Sequence, residues 1–227
     1  MKRIFFSLAL LLAVTALTAQ TNMTAREAAV KIADRILAST TYEFKNTKTG
    51  ETYKSVKKLP LDMNVKVACK YNNWHYTNGV TNMALMELGD KLADKKYEKY
   101  VLKNMNFVFN EGNLEFFRKQ YDEAFKQDGW NAVRKLSWHM IFRGKRLDDN
   151  GPMGASLIEL QMRYPNQSFL DYVNETAEHL NYGEPRLVDG TIARIWPHVN
   201  TIWADDAFMA ISFLARMGIL MMQPIRC

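Results

Sequence analysis

Two pairs of adjacent carboxylates, Asp148 with Asp149 and Asp205 with Asp206, are the residues of this chain best suited to move protons. Aromatic rings accompany them: Trp203 stands two positions before Asp205, and Trp196 and the run Trp74-His75-Tyr76 supply more. Two carboxyl groups, one kept protonated by an apolar or like-charged setting, are common equipment for breaking glycosidic links. Rings beside them would give a sugar a flat apolar face to stack on. Helix architecture alone also explains each residue taken singly. Acids in a first helical turn complement the dipole and cap free amides, and Trp74 and Trp203 would serve equally well as core residues. Only the combination points to carbohydrate chemistry.

Other chemistries find little support. The histidines His75, His139, His179 and His198 show no His-x-x-x-His spacing, so no zinc site is expected. Asp148-Asp149-Asn150-Gly151 lacks the alternating acids and distal Glu of a calcium loop. There is no Gly-x-Ser-x-Gly elbow, no base close in sequence to Cys69, and no glycine-rich phosphate loop. No metal or cofactor is therefore expected. The formal charge of +6 is mild and includes Lys2 and Arg3. Without a basic helix or an aromatic-basic ribbon it does not indicate nucleic acid, although it suits an acidic sugar.

The N-terminus differs in kind from the rest. Lys2 and Arg3 precede an apolar run over residues 4–17 and then small and polar residues, the pattern of a secretory signal peptide over residues 1–20. The expected mature chain, 21–227, then works in the periplasm or outside the cell, with no membrane association after cleavage. Two cysteines, Cys69 and the terminal Cys227, make no disulfide scaffold, and Cys69 is expected to be a small buried residue.

Which elements would position the acids? Thr24 and Glu27 form a capping-box pattern ahead of a helix ending near Ser39, with Ala28, Ile32, Ile36 and Leu37 on one side. The polar residues 40–60 suit a hairpin or an ordered excursion. Helices are expected over 80–94, burying Met83, Ala84 and Leu88, over 95–108, and through much of 114–142 with a break at Asp128-Gly129. Residues 146–154 read as a loop entering a helix over 155–163; another helix covers 166–181, and 183–198 suits a short strand pair. The last helix spans 200–218, with Trp203, Ala207, Ala210, Ile211 and Leu214 on its inner face. Helix follows helix with no βαβ rhythm, so the fold class is all-α. Polar loops bearing Trp, His or Asp feed helix starts at Trp74, Asp148 and Trp203, as if like helix ends lined one cleft.

Three segments carry a family resemblance: Trp74-His75-Tyr76-Thr77-Asn78-Gly79-Val80, Arg146-Leu147-Asp148-Asp149-Asn150-Gly151-Pro152-Met153-Gly154, and Trp203-Ala204-Asp205-Asp206-Ala207-Phe208-Met209. In order and spacing they resemble glycoside hydrolase family 105, the unsaturated rhamnogalacturonyl hydrolases related to family 88. The resemblance implies an α/α toroid built of six helical hairpins, and an oligosaccharide substrate ending in a 4,5-unsaturated uronic acid. It further implies hydration of the double bond, with Asp205 as general acid/base, Asp149 as second acid, and Trp74, His75, Trp203 and Asp148 at the substrate. Burial beside Trp203 and the charges of Asp206 and Asp149 are expected to help Asp205 hold its proton, against the pull of the helix N-terminus. Beyond Gly218 the chain departs from the family, and its later blocks, which supply a His, an Arg and a Trp, have no counterpart here. Only about the N-terminal part of the barrel is therefore expected, a truncated chain whose activity that departure puts in question. The alternatives are a secreted helical sugar-binding protein without catalysis, and another α/α-barrel enzyme such as a polysaccharide lyase.

Overall fold

The computed structural model describes residues 23–143 and 146–222, so the expected signal peptide and Cys227 lie outside the described residues. Residues up to Ile36 and those from Leu37 onward form two compact units. Helix α1 (Ala25–Ser39) opens with the expected capping box. The Thr24 amide donates to Glu27 Oε2 at 2.9 Å, and the Glu27 amide returns a bond to Thr24 Oγ1 at 3.2 Å. Its burial departs from the expected stripe: Ile32 is exposed and Ala33 buried.

From Leu37 on, the chain first makes a small antiparallel sheet of order β2-β1-β3, from β1 (Phe44–Asn46), β2 (Thr52–Tyr53) and β3 (Val65–Val67). The expected hairpin in the polar stretch is thus present. Asn46 Oδ1 accepts the amides of Lys48 and Thr49 in its turn, and Gly50 closes it at φ +80°. Phe44 turns inward against Phe107, Phe116 and Phe117.

Helices make up the remainder: α2 (Tyr76–Leu92), α3 (Lys95–Val108), α4 (Glu111–Val133), a 3-10 turn (His139–Phe142), α5 (Leu147–Arg163), α6 (Gln167–Glu178) and α7 (Ala204–Met222). The fold is all-α with one small sheet. Most starts are capped by a preceding side chain. His75 accepts from Thr77 N, Asp94 from Lys96 N, and Asn166 from Ser168 N. The break foreseen in the long helix is real, since Asp128 and Gly129 leave helical geometry inside α4. Residues 183–201 pair through two isolated antiparallel bridges, Arg186 with Ile192 and Arg194 with Thr201.

Several boundaries differ from expectation; the last helix, for one, covers Ala204–Met222 and not 200–218. Helix α2 starts at Tyr76, because His75 supplies a cap before the apolar residues begin. Residues 147–154 are not a loop but the first turns of α5, with Pro152 inside the helix. A proline there forfeits one hydrogen bond, and the burial of every residue from Asp149 to Ile158 offsets that loss.

Helix α5 is the shared element, packing on α2 at one side and on α7 at the other, while α3 and α6 return as hairpin partners. The three helices α2, α5 and α7 run parallel. Gly79 faces Pro152 near the start of α2, and Asp90 pairs with Arg163 the same number of residues further along both helices. Along α7, Gly151 meets Met209, Gly154 meets Phe213, and Glu159 pairs with Arg216. All three N-termini therefore open toward the same end. At the opposite end Glu98 of α3 is buried, accepting bonds from Tyr164 Oη and from Arg163 Nη1, the latter at 2.6 Å. Burial would raise its pKa, yet these bonds outweigh that and hold it below the usual glutamate range.

These contacts explain why the expected inner faces are wrong. On α2 the buried residues are Asn78, Gly79, Asn82, Leu85, Met86 and Gly89, not Met83, Ala84 and Leu88. On α7 they are Asp206, Met209, Ala210, Ser212 and Phe213, while Ile211 is exposed. Close backbone approach selects small and polar residues, so the apolar stripe does not mark the contact. A methyl group on Gly151 would strike the backbone of Met209, which cannot move aside. Gly151→Ala is thus expected to cost about 1–3 kcal/mol or more by overpacking. Gly218→Ala, with nothing within 4 Å of the new carbon, should instead add up to about 1 kcal/mol through helix propensity. Urea unfolding of the two variants checks this; equal midpoints would refute the close-contact account.

Candidate active site

The parallel helices bring the three sequence segments to one end of the molecule, and two arginines organise them there. Arg143, just after the 3-10 turn, grips Asp149 with both Nε and Nη2, the latter at 2.6 Å from Oδ1. Arg194, on the bridged segment between α6 and α7, grips Asp206 in the same way, at 2.5 Å from Nε and 2.6 Å from Nη2. Both carboxylates are buried. Bidentate pairs of this geometry are strong and directional, and each commits both oxygens of the carboxylate to its arginine.

The first member of each acid pair has the other fate. Adjacent helical residues point about 100° apart, so Asp148 and Asp205 turn away from the sites that hold Asp149 and Asp206. Asp148 lines a cavity of about 350 Å³ with Leu147, Arg194, Trp196, Glu184 and Asp206. Arg194 Nη2 lies 3.9 Å from its Oδ2. Burial raises its pKa most; Arg194 opposes, and the charges of Asp206, Asp205 and Asp149 raise it further. Asp205 is exposed in the first turn of α7, its Oδ1 accepting the Asp206 amide at 3.1 Å.

The aromatic residues divide as well. Trp74 is fully buried, at 0% exposure, among Phe109, Trp138 and Tyr172. Its Nε1 donates to the Asp149 carbonyl at 2.6 Å. The expectation that Trp74 stacks on a sugar is therefore corrected: it fastens the start of α5. Trp203, 42% exposed, holds its ring 4.1 Å from the Arg194 guanidinium carbon. The expected burial of Asp205 beside Trp203 is also not found, because that ring lies over Arg194 instead. Trp196 is 68% exposed and lines the cavity. His75 is half-buried, occupied in capping α2 through Nδ1, 2.8 Å from Thr77 Oγ1.

Sequence reasoning missed the cavity's own charged framework. Arg146 and Arg194 line it, as do His179 and Glu184, which are 3.0 Å apart at the end of α6. Burial pushes Glu184 toward its protonated form, against His179. That His and Glu stand five positions apart across a helix end, a spacing visible in the sequence. The Arg143–Asp149 and Arg194–Asp206 pairs left none, since their partners lie on separate elements. A second cavity of about 490 Å³ opens beside the first, sharing His179 and lined by Arg118, Phe142, Asn150 and Tyr172.

A cavity bordered by a carboxyl whose proton affinity burial raises, a second acid and the open Trp196 ring suits a carbohydrate. The sequence model of glycosyl hydrolase family 88 matches residues 52–225, which take in all three helix mouths. The chain belongs to glycosyl hydrolase family 88. No curated protein matches it. In this family 88 chain the matched span begins in β2 and includes every residue named at the cavity.

The two adjacent acids of this family 88 chain are expected to respond differently to truncation. Asp149→Ala strands Arg143 beside a buried void and should cost about 3–5 kcal/mol. Asp148→Ala, at a half-buried site, should change stability by less than about 1 kcal/mol. Denaturant titration distinguishes them, and equal losses would overturn the division of roles.

Proposed function

We propose that the chain hydrates the 4,5 double bond of an unsaturated uronyl residue at the end of a pectin-derived oligosaccharide, as the family 105 resemblance implies. In this reaction C4 takes a proton, water adds to C5, and the hemiketal so formed opens to release the neighbouring sugar. The observation that carries this reading is Asp148 at the cavity with Asp205 near enough for its charge to raise the proton affinity of Asp148, while their neighbours Asp149 and Asp206 are bound by arginine.

The roles follow from the surroundings. A donor to carbon must still hold its proton above the pH of an ordinary Asp, about 3.9, and Asp148 is the acid whose burial favours this. Asp205, exposed beside it, takes the proton from the attacking water and acts as the base. Here the assignment departs from the resemblance, which gives the C4 proton to Asp205 and the second role to Asp149. Trp196 and Trp203 offer the exposed rings for the sugar. If residues 1–20 direct export, the substrate is met in the periplasm or outside the cell.

Loss of ultraviolet absorbance from the double bond, in pectin-lyase products, measures the activity. Asp205→Asn and Asp148→Asn should each lower kcat by at least about a hundredfold, the usual weight of general acid–base catalysis. The pH profile carries a sharper expectation. Asp148 works protonated, so kcat/KM falls as pH rises through its elevated pKa, and Asp148→Asn removes that alkaline limb. Full activity in Asp205→Asn would sink the proposal. An unchanged limb in Asp148→Asn would return the proton to another group.

A further inference from the structure

The cavity's charges do not cancel evenly. Arg194 is bound by Asp206 through two bonds and also faces Asp148. His179 and Glu184 satisfy each other at 3.0 Å. Arg146 also lines this cavity, and among the described residues its side chain has no ion pair and no hydrogen bond. Its guanidinium carbon lies 6.0 Å from the centre of the Trp196 ring, itself largely exposed.

The backbone of Arg146 is well placed. Its carbonyl accepts the amides of Asp149 at 3.0 Å and Asn150 at 3.2 Å, so it is fixed to the first turn of α5, two residues before Asp148. A guanidinium fork matches a carboxylate in a bidentate fashion. The adjoining acids Asp148, Asp206 and Glu184 disfavour a phosphate or sulfate of higher charge.

We infer that Arg146, with the Trp196 ring beside it, is the receptor for the carboxylate of the terminal uronic acid, and so a specificity-determining residue. This rests on reading the cavity as a uronyl site. In such a sugar the carboxylate is attached to C5, next to C4. Anchoring it at Arg146 keeps both carbons of the double bond in the cavity that Asp148 also lines. Selectivity for the acid over its ester and alignment for protonation then share one contact.

The test separates this inference from the reaction itself. Galacturonosyl-rhamnose, a saturated disaccharide with no double bond to hydrate, and its methyl ester are titrated calorimetrically into the full chain, into Arg146→Gln and into Arg146→Lys. The wild-type chain should bind the acid at least about tenfold more tightly than the ester, a modest expectation for one charged contact. Arg146→Gln should bring the two affinities together by weakening the acid alone, and Arg146→Lys should keep part of the preference. Unaltered melting of both variants excludes misfolding. The inference is overturned if wild type binds neither sugar, binds both equally, or keeps its preference in Arg146→Gln. A preference that depends on Arg146, without consumption of the unsaturated substrate, would sustain the receptor and remove the hydration reading. Consumption with an acid preference indifferent to Arg146 would do the reverse.

Discussion

The arrangement depends on how the first turn of α5 is held. Asp149 is bound there from two directions: its side chain by Arg143, and its backbone carbonyl by the Trp74 indole at 2.6 Å. Removing Arg143 would leave a buried carboxylate unpaired, which is costlier than the bond is stabilising. The same turn has no lateral freedom, because Pro152 lies against Gly79 and Gly151 against Met209 at van der Waals limits. A helix pinned by buried hydrogen bonds and by backbone contact on both flanks presents Asp148 in one direction only. Pre-organisation of this kind is what a proton donor to carbon needs, since misplacement by an ångström is expensive in rate.

Arg194 repeats this logic on a less regular element. It sits on a segment held by isolated bridges rather than a helix, yet its guanidinium is fixed by Asp206 below and the Trp203 ring at 4.1 Å. The guanidinium therefore links the mouth of α7 to that of α5 through Asp148. Its charge works against burial in setting the proton affinity of Asp148. Burial wins because the contact to Asp148, at 3.9 Å, is long, whereas Asp206 absorbs most of the guanidinium's hydrogen-bonding capacity.

How much of this could be seen in the sequence varies by residue. The capping box at Thr24, the turn around Gly50 and the break at Gly129 were legible, because each is a local backbone requirement written in one or two residue types. The three segments that converge at the cavity were legible as a set, and the all-α class followed from the succession of helices. The inward faces of α2 and α7 were not. Periodicity finds apolar stripes, whereas these helices approach through Gly79, Asn82, Gly151 and the Met209 backbone, where small size matters more than hydrophobicity. Trp74 was recognised as important for the wrong reason: nothing local distinguishes an indole that stacks on a ligand from one that donates to a buried carbonyl. Nothing local marks Arg146, since an unpaired charge becomes visible only when its neighbours' pairings are known.

The doubled acids themselves draw these threads together. At a helix mouth, a carboxylate whose two oxygens are both engaged by an arginine has neither left to meet a ligand. Placing two in succession resolves this geometrically: a turn of about 100° per residue leaves Asp148 bordering the cavity beside the bound Asp149, and Asp205 exposed beside the bound Asp206. Asp149 and Asp206 take the interior positions, each gripped through Nε and Nη2 of an arginine. Their charges remain close enough to raise the proton affinity of Asp148. The structural acid of each pair is thus also an electrostatic element of the site. This accounts for the spacing of these residues: in each pair the second acid is held by an arginine, and around Asp148 its charge adds to how firmly a proton is held.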